Sequence, residues 1–233
     1  GTTTLVAGAG NNITLDSVGN NFSTVAVTSG NNVALTDANA LDLGASTIAG
    51  TLTVTTAGSV TQSGALAVTG TTTVAAGAAN NVTLNNAGND FSTVAVTSGN
   101  NVALRDANAL ILGASTVAGT LDVMTAGAVT QSGAVTVAGP AAAAAGAANN
   151  ITLANAGNDF STVGITSGNN VTLRDANALD LGASTVAGSL TVTAGGLISQ
   201  SGAVAVTGTA SFDTTGAATL GSVSLTNGAA LTL

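Results

Sequence analysis

The chain has 233 residues, of which 45% are hydrophobic and only 5% are charged, and its formal net charge is −8. It contains neither Cys nor His, so disulfides, imidazole catalysis and the usual zinc sites are excluded. Its two basic residues cannot form the basic patch that nucleic acid or an anionic membrane surface requires. We therefore expect no nucleic-acid partner.

The apolar content separates this chain from disordered and membrane-spanning proteins. Disordered segments combine low hydrophobicity with high charge, which is the reverse of this composition. The longest stretch without a polar side chain, Ala138–Ala148, is too short to span a bilayer, which takes about 20 apolar residues. The sequence starts abruptly without a recognisable signal peptide, and we expect it to be a piece of a longer protein.

Three near copies of one segment dominate the sequence. They begin with NNITLDSVGNNF at Asn11, NNVTLNNAGNDF at Asn80 and NNITLANAGNDF at Asn149, so the period is 80 − 11 = 149 − 80 = 69 residues. The copies are residues 11–79, 80–148 and 149–217, with partial copies at 1–10 and 218–233. We predict one domain over residues 1–233.

Apolar and polar residues alternate within each copy. The apolar pairs of the first copy are Val25 and Val27, Val33 and Leu35, Leu41 and Leu43, Leu52 and Val54, and Leu66 and Val68. This period of two is typical of strands with one buried face, and the Gly, Asn and Ser residues between the pairs indicate turns. The run Ala141–Ala145 has helix propensity, but it aligns with TTTVA at 71–75, so we predict a strand or short loop there.

Short strands in a long repeat predict an all-β fold, a single parallel β-helix (β-solenoid) with about three strands per coil. Coils stack about 4.8 Å apart, so we expect about ten coils in a rod of about 50 Å. The 69-residue repeat divides into three coils, in the second copy Ser92–Ala114, Ser115–Ala134 and Val135–Phe160. Recurring pairs such as Asn31 and Asn32 are interpreted as corner residues in left-handed conformations, with amides that form a ladder along the axis.

Two kinds of position distinguish core from surface. A Phe recurs once per repeat, at Phe22, Phe91 and Phe160, and is predicted to fill a wider part of the core, with an exposed stripe for sugar stacking as the alternative. Other positions differ between copies, namely Asp42, Ile111 and Asp180, or Thr36, Arg105 and Arg174. We interpret these as outward positions that are free to vary.

No residue is predicted as a catalytic, cofactor-binding or metal site. Acid–base catalysis needs several groups on one face, whereas the carboxylates recur singly, as at Asp37, Asp106 and Asp175. Copies three coils apart would lie about 14 Å apart. Each Asp is therefore predicted to be a solvated turn or outward position, and Arg105-Asp106 and Arg174-Asp175 to be exposed pairs.

Two binding functions stay open as alternatives. The strings GNDF at Gly88–Phe91 and Gly157–Phe160 offer one carboxylate each, against the roughly six to eight oxygen ligands of calcium. Thr53 and Thr55 belong to a threonine array of the kind that binds ice on some solenoids. The middle copy has Leu121-Asp122-Val123-Met124 at that place, which predicts that the array is broken.

The segments GNDFSTVAVTSGNNVALRDANAL, LGASTVAGTLDV and AGAVTQSGAVTVAG resemble the β-helical stalks of large bacterial exoproteins. The resemblance is in particular to filamentous-haemagglutinin-like adhesins of two-partner secretion, and it covers essentially the whole chain. It implies a Gram-negative protein that is secreted through the outer membrane and displayed as a rod on the cell surface.

We therefore predict a structural stalk or fibre segment of a secreted surface adhesin or extracellular matrix protein, not an enzyme, without a cofactor or a membrane-spanning segment. Its expected partners are neighbouring coils, identical chains end to end, or a host or neighbouring-cell surface. The alternative is a self-assembling head-to-tail filament protomer, because open solenoid ends expose strand edges. A calcium- or ice-binding solenoid is the third hypothesis.

Overall fold

Parallel pairing of short strands builds residues 1–216, 218–220, 223–225 and 231–232, which are the residues that the computed structural model describes. The chain winds into an all-β parallel solenoid of about 11 turns, and these residues include no helix. The predicted fold, a parallel β-helix with about three strands per coil and about ten coils, is confirmed.

The strands follow each other at short intervals along the chain. They are β1 (Thr2–Val6), β2 (Ile13–Leu15), β3 (Thr24–Ser29), β4 (Val33–Asp37), β5 (Leu41–Leu43), β6 (Ser46–Ile48), β7 (Leu52–Thr56), β8 (Val60–Gln62), β9 (Leu66–Ala75), β10 (Val82–Leu84), β11 (Asp90–Ser98), β12 (Val102–Asp106), β13 (Leu110–Leu112), β14 (Ser115–Val117), β15 (Leu121–Thr125), β16 (Val129–Gln131), β17 (Val135–Ala144), β18 (Ile151–Leu153), β19 (Asp159–Ser167), β20 (Val171–Asp175), β21 (Leu179–Leu181), β22 (Ser184–Val186), β23 (Leu190–Ala194), β24 (Ile198–Gln200), β25 (Val204–Val206), β26 (Ala210–Thr214), β27 (Val223–Leu225) and β28 (Leu231–Thr232).

Two long sheets form the main faces of the solenoid. Face A has the strand order β1-β3-β5-β8-β10-β12-β15-β17-β19-β21-β24, and face B has the order β2-β4-β7-β9-β11-β13-β16-β18-β20-β23-β26-β28. The chain passes from face A to face B at edge 1 and returns at edge 2. Residues paired across one turn are separated by 18 positions at Thr24 and Asp42, and by 22 positions at Val60 and Val82.

The repeat spans three and a half turns instead of three. Thr24 of β3 and Thr162 of β19 are equivalent residues two repeats apart, and these strands are seven steps apart on face A. Thr93, the equivalent residue of the middle copy, lies in β11 on face B. The predicted division into Ser92–Ala114, Ser115–Ala134 and Val135–Phe160 is therefore wrong, because turns are shorter than 23 residues. Each copy presents its surface on the face opposite to that of its neighbours.

A third, short strand at one edge, here called the side strand, changes edges with each copy. The column at edge 1 contains Gly30, Ile48, Val68 and Phe91. The next column lies at edge 2 and contains Gly99, Val117, Val137 and Phe160. In the third copy the column returns to edge 1, with Gly168, Val186, Val206 and Leu225. The half-turn thus interchanges the two edges as well as the two faces.

The core is a narrow column of β-branched and small side chains that alternation turns inward. Val33 and Leu35 are buried in β4, for example. Phe91 and Phe160 are 1% and 2% exposed and close the side-strand columns, so the prediction that they fill the core is confirmed. The alanine run is part of strand β17, as expected.

Glycine is needed where the backbones of neighbouring turns come closest. A Cβ atom at Gly133 would lie 2.5 Å from the backbone nitrogen of Ala114 in the adjacent turn. Its equivalents Gly64 and Gly202 meet Ala45 and Ala183 more closely still. A side chain at these positions would force neighbouring turns apart.

One hydroxyl is buried without a partner. Thr72 is 0% exposed, and its Oγ1 makes no hydrogen bond. We predict that Thr72→Val raises the free energy of unfolding by about 1 kcal/mol, because it removes an unpaired polar atom and keeps the side-chain shape. Guanidinium denaturation measures the change.

The control for this substitution is Thr56→Val. Thr56 is also buried, but its hydroxyl donates a hydrogen bond to the carbonyl of Gly58 at 2.5 Å. This variant should be less stable than the wild-type chain. A Thr72→Val chain that is equally destabilised would contradict the interpretation of Thr72.

Candidate functional site

A buried polar cluster recurs at the end of a side-strand column. Its members are Gln62, Asn89 and Asp106 on edge 1, and Gln131, Asn158 and Asp175 on edge 2. The two Asn residues are 0% exposed and the two Asp residues are 2% exposed. This is the most strongly polar environment inside the solenoid, so it was considered first as a possible site.

Alternation along β12 brings Asp106 inward. Val102, Leu104 and Asp106 are all buried, whereas Arg105 is exposed. The Asp106 carboxylate accepts hydrogen bonds from the backbone N–H groups of Phe91 at 2.6 Å and Asn108 at 2.7 Å. The carboxylate therefore joins the end of the side-strand column to the turn that follows it on the same edge.

Asp37 and Asp175 have the same arrangement. Asp37 accepts from Phe22 at 2.5 Å, and Asp175 accepts from Phe160 at 2.6 Å. The prediction that these three Asp residues are solvated is therefore wrong, as is that of exposed Arg-Asp pairs. The period of two, continued for one more step past Leu104 or Leu173, contained the signal that was missed.

Asn89 connects three successive turns. Its Nδ2 donates to the carbonyls of Leu84 and Arg105 at 3.2 and 3.1 Å. Its Oδ1 accepts from the backbone N–H of Leu66 at 3.0 Å and from Gln62 Nε2 at 2.7 Å. Asn158 makes the corresponding bonds on edge 2. Nothing in the alternation of the sequence indicated this role, because Asn89 lies outside the regular strands.

Burial raises the pKa of the Asp106 carboxyl above its ordinary value of 3.8. The N–H groups of Phe91 and Asn108 act in the opposite direction, and the nearby Asp90 carboxylate adds a smaller increase. The pKa of Asp175 is raised by burial in the same way, against the N–H groups of Phe160 and Asn177. Desolvation of the charged form is therefore the larger effect at both sites.

The cluster is arranged to hold the backbone and not to react with a substrate. Each cluster contains one carboxylate, both of whose oxygens are bonded to backbone N–H groups. The clusters lie on opposite edges. In the described parts of the chain, no three Asp, Glu, His or Cys side chains converge on a possible metal position. This geometry offers calcium no support at Asp90 or Asp159.

The surface depressions are shallow and poor in chemistry. One of about 370 Å³ lies outside the side strands β6 and β9, and Asp90 is the carboxylate that lines it. Another of about 250 Å³ is lined by Arg174 and by Asp175, whose oxygens already accept two backbone bonds. Neither places a second acid or base beside the first.

The predicted amide ladder is present along the edges. Asn12 Oδ1 accepts from Asn31 Nδ2 and from the N–H of Asn32, both at 3.1 Å. Asn32 Oδ1 accepts from the N–H and the hydroxyl of Thr51 at 3.0 and 3.1 Å. The left-handed corners, however, are occupied by glycine, for example Gly77 with φ of 85°. The Asn pairs thus act through their amides.

The threonine array differs from the expectation. Thr53 and Thr55 are exposed on β7 of face B, whereas Leu121–Met124 belongs to β15 on face A. Because the middle copy is turned by half a turn, it does not interrupt the array. The broken array was inferred from an alignment that assumed a whole number of turns.

The repeat family DUF5649, described as repeats of unknown function, matches residues 1–29, 30–98, 99–167 and 168–233. The chain belongs to this family. Its two internal matches are 69 residues long, the period found from the sequence. No curated protein and no solved structure matches the chain. Across the described ranges, there is no helix of the length and apolar character that crossing a membrane demands.

The raised pKa of Asp106 and Asp175 predicts a pH dependence. Between the unfolded pKa and the raised folded pKa, the folded chain binds more protons, so stability is lost as the pH rises through this window. We expect the free energy of unfolding to increase on acidification from neutral pH towards 3.8. Denaturation midpoints measured across this range test the prediction.

The variant for this test is the double substitution Asp106→Asn with Asp175→Asn, which should show a smaller increase on acidification than the wild-type chain. Asp122→Asn is the control, because Asp122 is exposed. An unchanged increase in the double variant would show that the buried carboxylates are not its source.

Proposed function

We propose that this chain is a stiff structural segment, a stalk or fibre piece of a secreted bacterial surface adhesin or extracellular matrix protein. The observation that carries the proposal is the unbroken stacking of turns on faces A and B. Parallel backbone pairing, the amide ladder and the buried polar cluster all join one turn to the next. The family description, repeats of unknown function, is compatible with this role.

The energetics of stacking favour a mechanical role. Each turn contacts only its neighbours, so stability is roughly additive along the axis. Asn89 and Asn158 bond across three turns, which couples units beyond nearest neighbours. With two basic residues in 233, the chain also presents few sites to proteases that cleave after Lys or Arg. We expect no enzymatic turnover.

Secretion and adhesion are supported by the resemblance of the repeats to two-partner-secretion stalks of Gram-negative bacteria. The test is immunogold labelling of intact native cells with antibodies against the repeat. We expect gold along fibres at the cell surface. Labelling that requires permeabilised cells would contradict the proposed location.

Head-to-tail assembly of identical chains remains the alternative. Electron microscopy of the native material, together with the mass of its intact chain, separates the two hypotheses. A fibre made of chains of about 21.7 kDa would favour the protomer. A single chain many times larger would favour the continuous stalk.

The rod should grow by half-integral steps. We predict that insertion of one further 69-residue copy lengthens the particle by about 17 Å, three and a half turns of about 4.8 Å, and leaves its cross-section unchanged. Small-angle X-ray scattering measures both quantities. An insert of the same composition in scrambled order is the control. A copy that thickens the particle without lengthening it would contradict the solenoid segment as a modular spacer.

A further inference from the structure

Certain differences between the copies follow the face of the solenoid. Asp42 and Asp180 lie on face A, and their equivalent Ile111 lies on face B. At a second position the order of the copies is reversed. Asp122 of the middle copy lies on face A, and its equivalents Thr53 and Thr191 lie on face B.

The carboxylate is therefore on face A at both positions, although it belongs to different copies. If one copy had simply diverged from the others, the same copy would be exceptional in charge at both positions. The expectation that these outward positions vary freely is wrong. Face A accepts carboxylates, and face B is kept free of them at the same positions in the repeat.

The result on face B is a nearly continuous row of hydroxyl groups, here called the hydroxyl row. Its register is Thr71, Thr93, Ile111, Thr130, Thr152, Thr172, Thr191, Ser211 and Thr232 on successive strands. Within the described residues, no hydrogen bond to another protein group engages these hydroxyls. The charged residues beside the row, Arg174 and Asp213, lie towards one end of the face, on β20 and β26.

We propose that face B is a lateral interface on which a second copy of this chain packs, so that the rods associate side by side. The proposal rests on the structural role proposed above and names its partner. A second copy fits for three reasons, which are charge, axial spacing and area.

The charge reason is that each chain carries −8 overall. Two copies that meet through face B bring no carboxylate of the hydroxyl row into contact, whereas face A would oppose Asp42, Asp122 and Asp180. The spacing reason is that both rods repeat at about 4.8 Å, so two rows stay in register along their length. Paired sheets of this kind pack about 10 Å apart.

The area reason is that face B extends for about 50 Å along the axis and about 15 Å across it. It would bury about 750 Å² per partner, and stable protein interfaces bury about 800 Å² per partner. Face B is thus large enough for a specific pairing without any further element.

The test uses two charge insertions on face B. Ile111→Asp should fold normally, because Asp42 occupies the equivalent place and is held there by the hydroxyls of Thr61 and Ser63. The corresponding Thr130 and Ser132 are present beside Ile111. Thr152→Asp places a second carboxylate in the row. Thr83→Asp is the control, since Thr83 has the same place in the repeat but lies on face A.

Sedimentation equilibrium at neutral pH, with chain concentrations up to about 1 mM, measures association. We expect the wild-type chain and Thr83→Asp to dimerise alike, and Ile111→Asp and Thr152→Asp to weaken dimerisation by at least about tenfold. Circular dichroism and thermal unfolding check that all the variants fold.

Several outcomes would overturn the inference. One is a wild-type chain that stays monomeric over this range. Another is equal weakening by Thr83→Asp, because association would then depend on charge and not on face B. If monomeric chains retard ice growth, or bind a neutral polysaccharide, and Thr152→Asp abolishes this, the partner is not a second copy. A rod that keeps its length but does not pair refutes the interface and leaves the structural role intact.

Discussion

Parallel hydrogen bonding between successive turns is the constraint on which the rest of the structure depends. It places residues one turn apart directly beside each other, so every side chain must suit the same position in the next turn. Branched apolar residues such as Val33 and Leu52 therefore form columns inside, and glycine occupies points where backbones meet. Buried polar groups are paired along the axis, as Asn89 is with Gln62 and Leu66.

The half-turn in each repeat gives this constraint a second consequence. The same sequence must serve face A in one copy and face B in the next, so inward positions must be acceptable on either face. Differences at outward positions then report what each face has to do. Asp42 and Ile111 are equivalent in the repeat and opposite in location. Thr53 and Asp122 have the same relation with the order of the copies reversed.

Much of the fold could be predicted because the period of two is local and strong. The strands, the alanine segment of β17, the buried Phe91 and the amide ladder from Asn12 to Asn32 all follow from it or from the repeat. The turn length could not be predicted, since Gly and Asn occur at both edges and 69 divides evenly by three. The inward Asp106 was predictable from its phase with Val102 and Leu104, but not the role of Asn89, whose bonds join residues far apart in sequence.

The half-turn is tested most directly by a distance between equivalent positions of neighbouring copies. Spin labels at Thr83 and Thr152, in otherwise unchanged chains, can be measured by pulsed electron paramagnetic resonance. Three and a half turns place these residues on opposite faces, about 17 Å apart along the axis and about 10 Å apart across it, so their backbones should be about 20 Å apart and the outward labels farther. Labels about 14 Å apart on one face, the separation of three whole turns, would contradict the half-turn repeat.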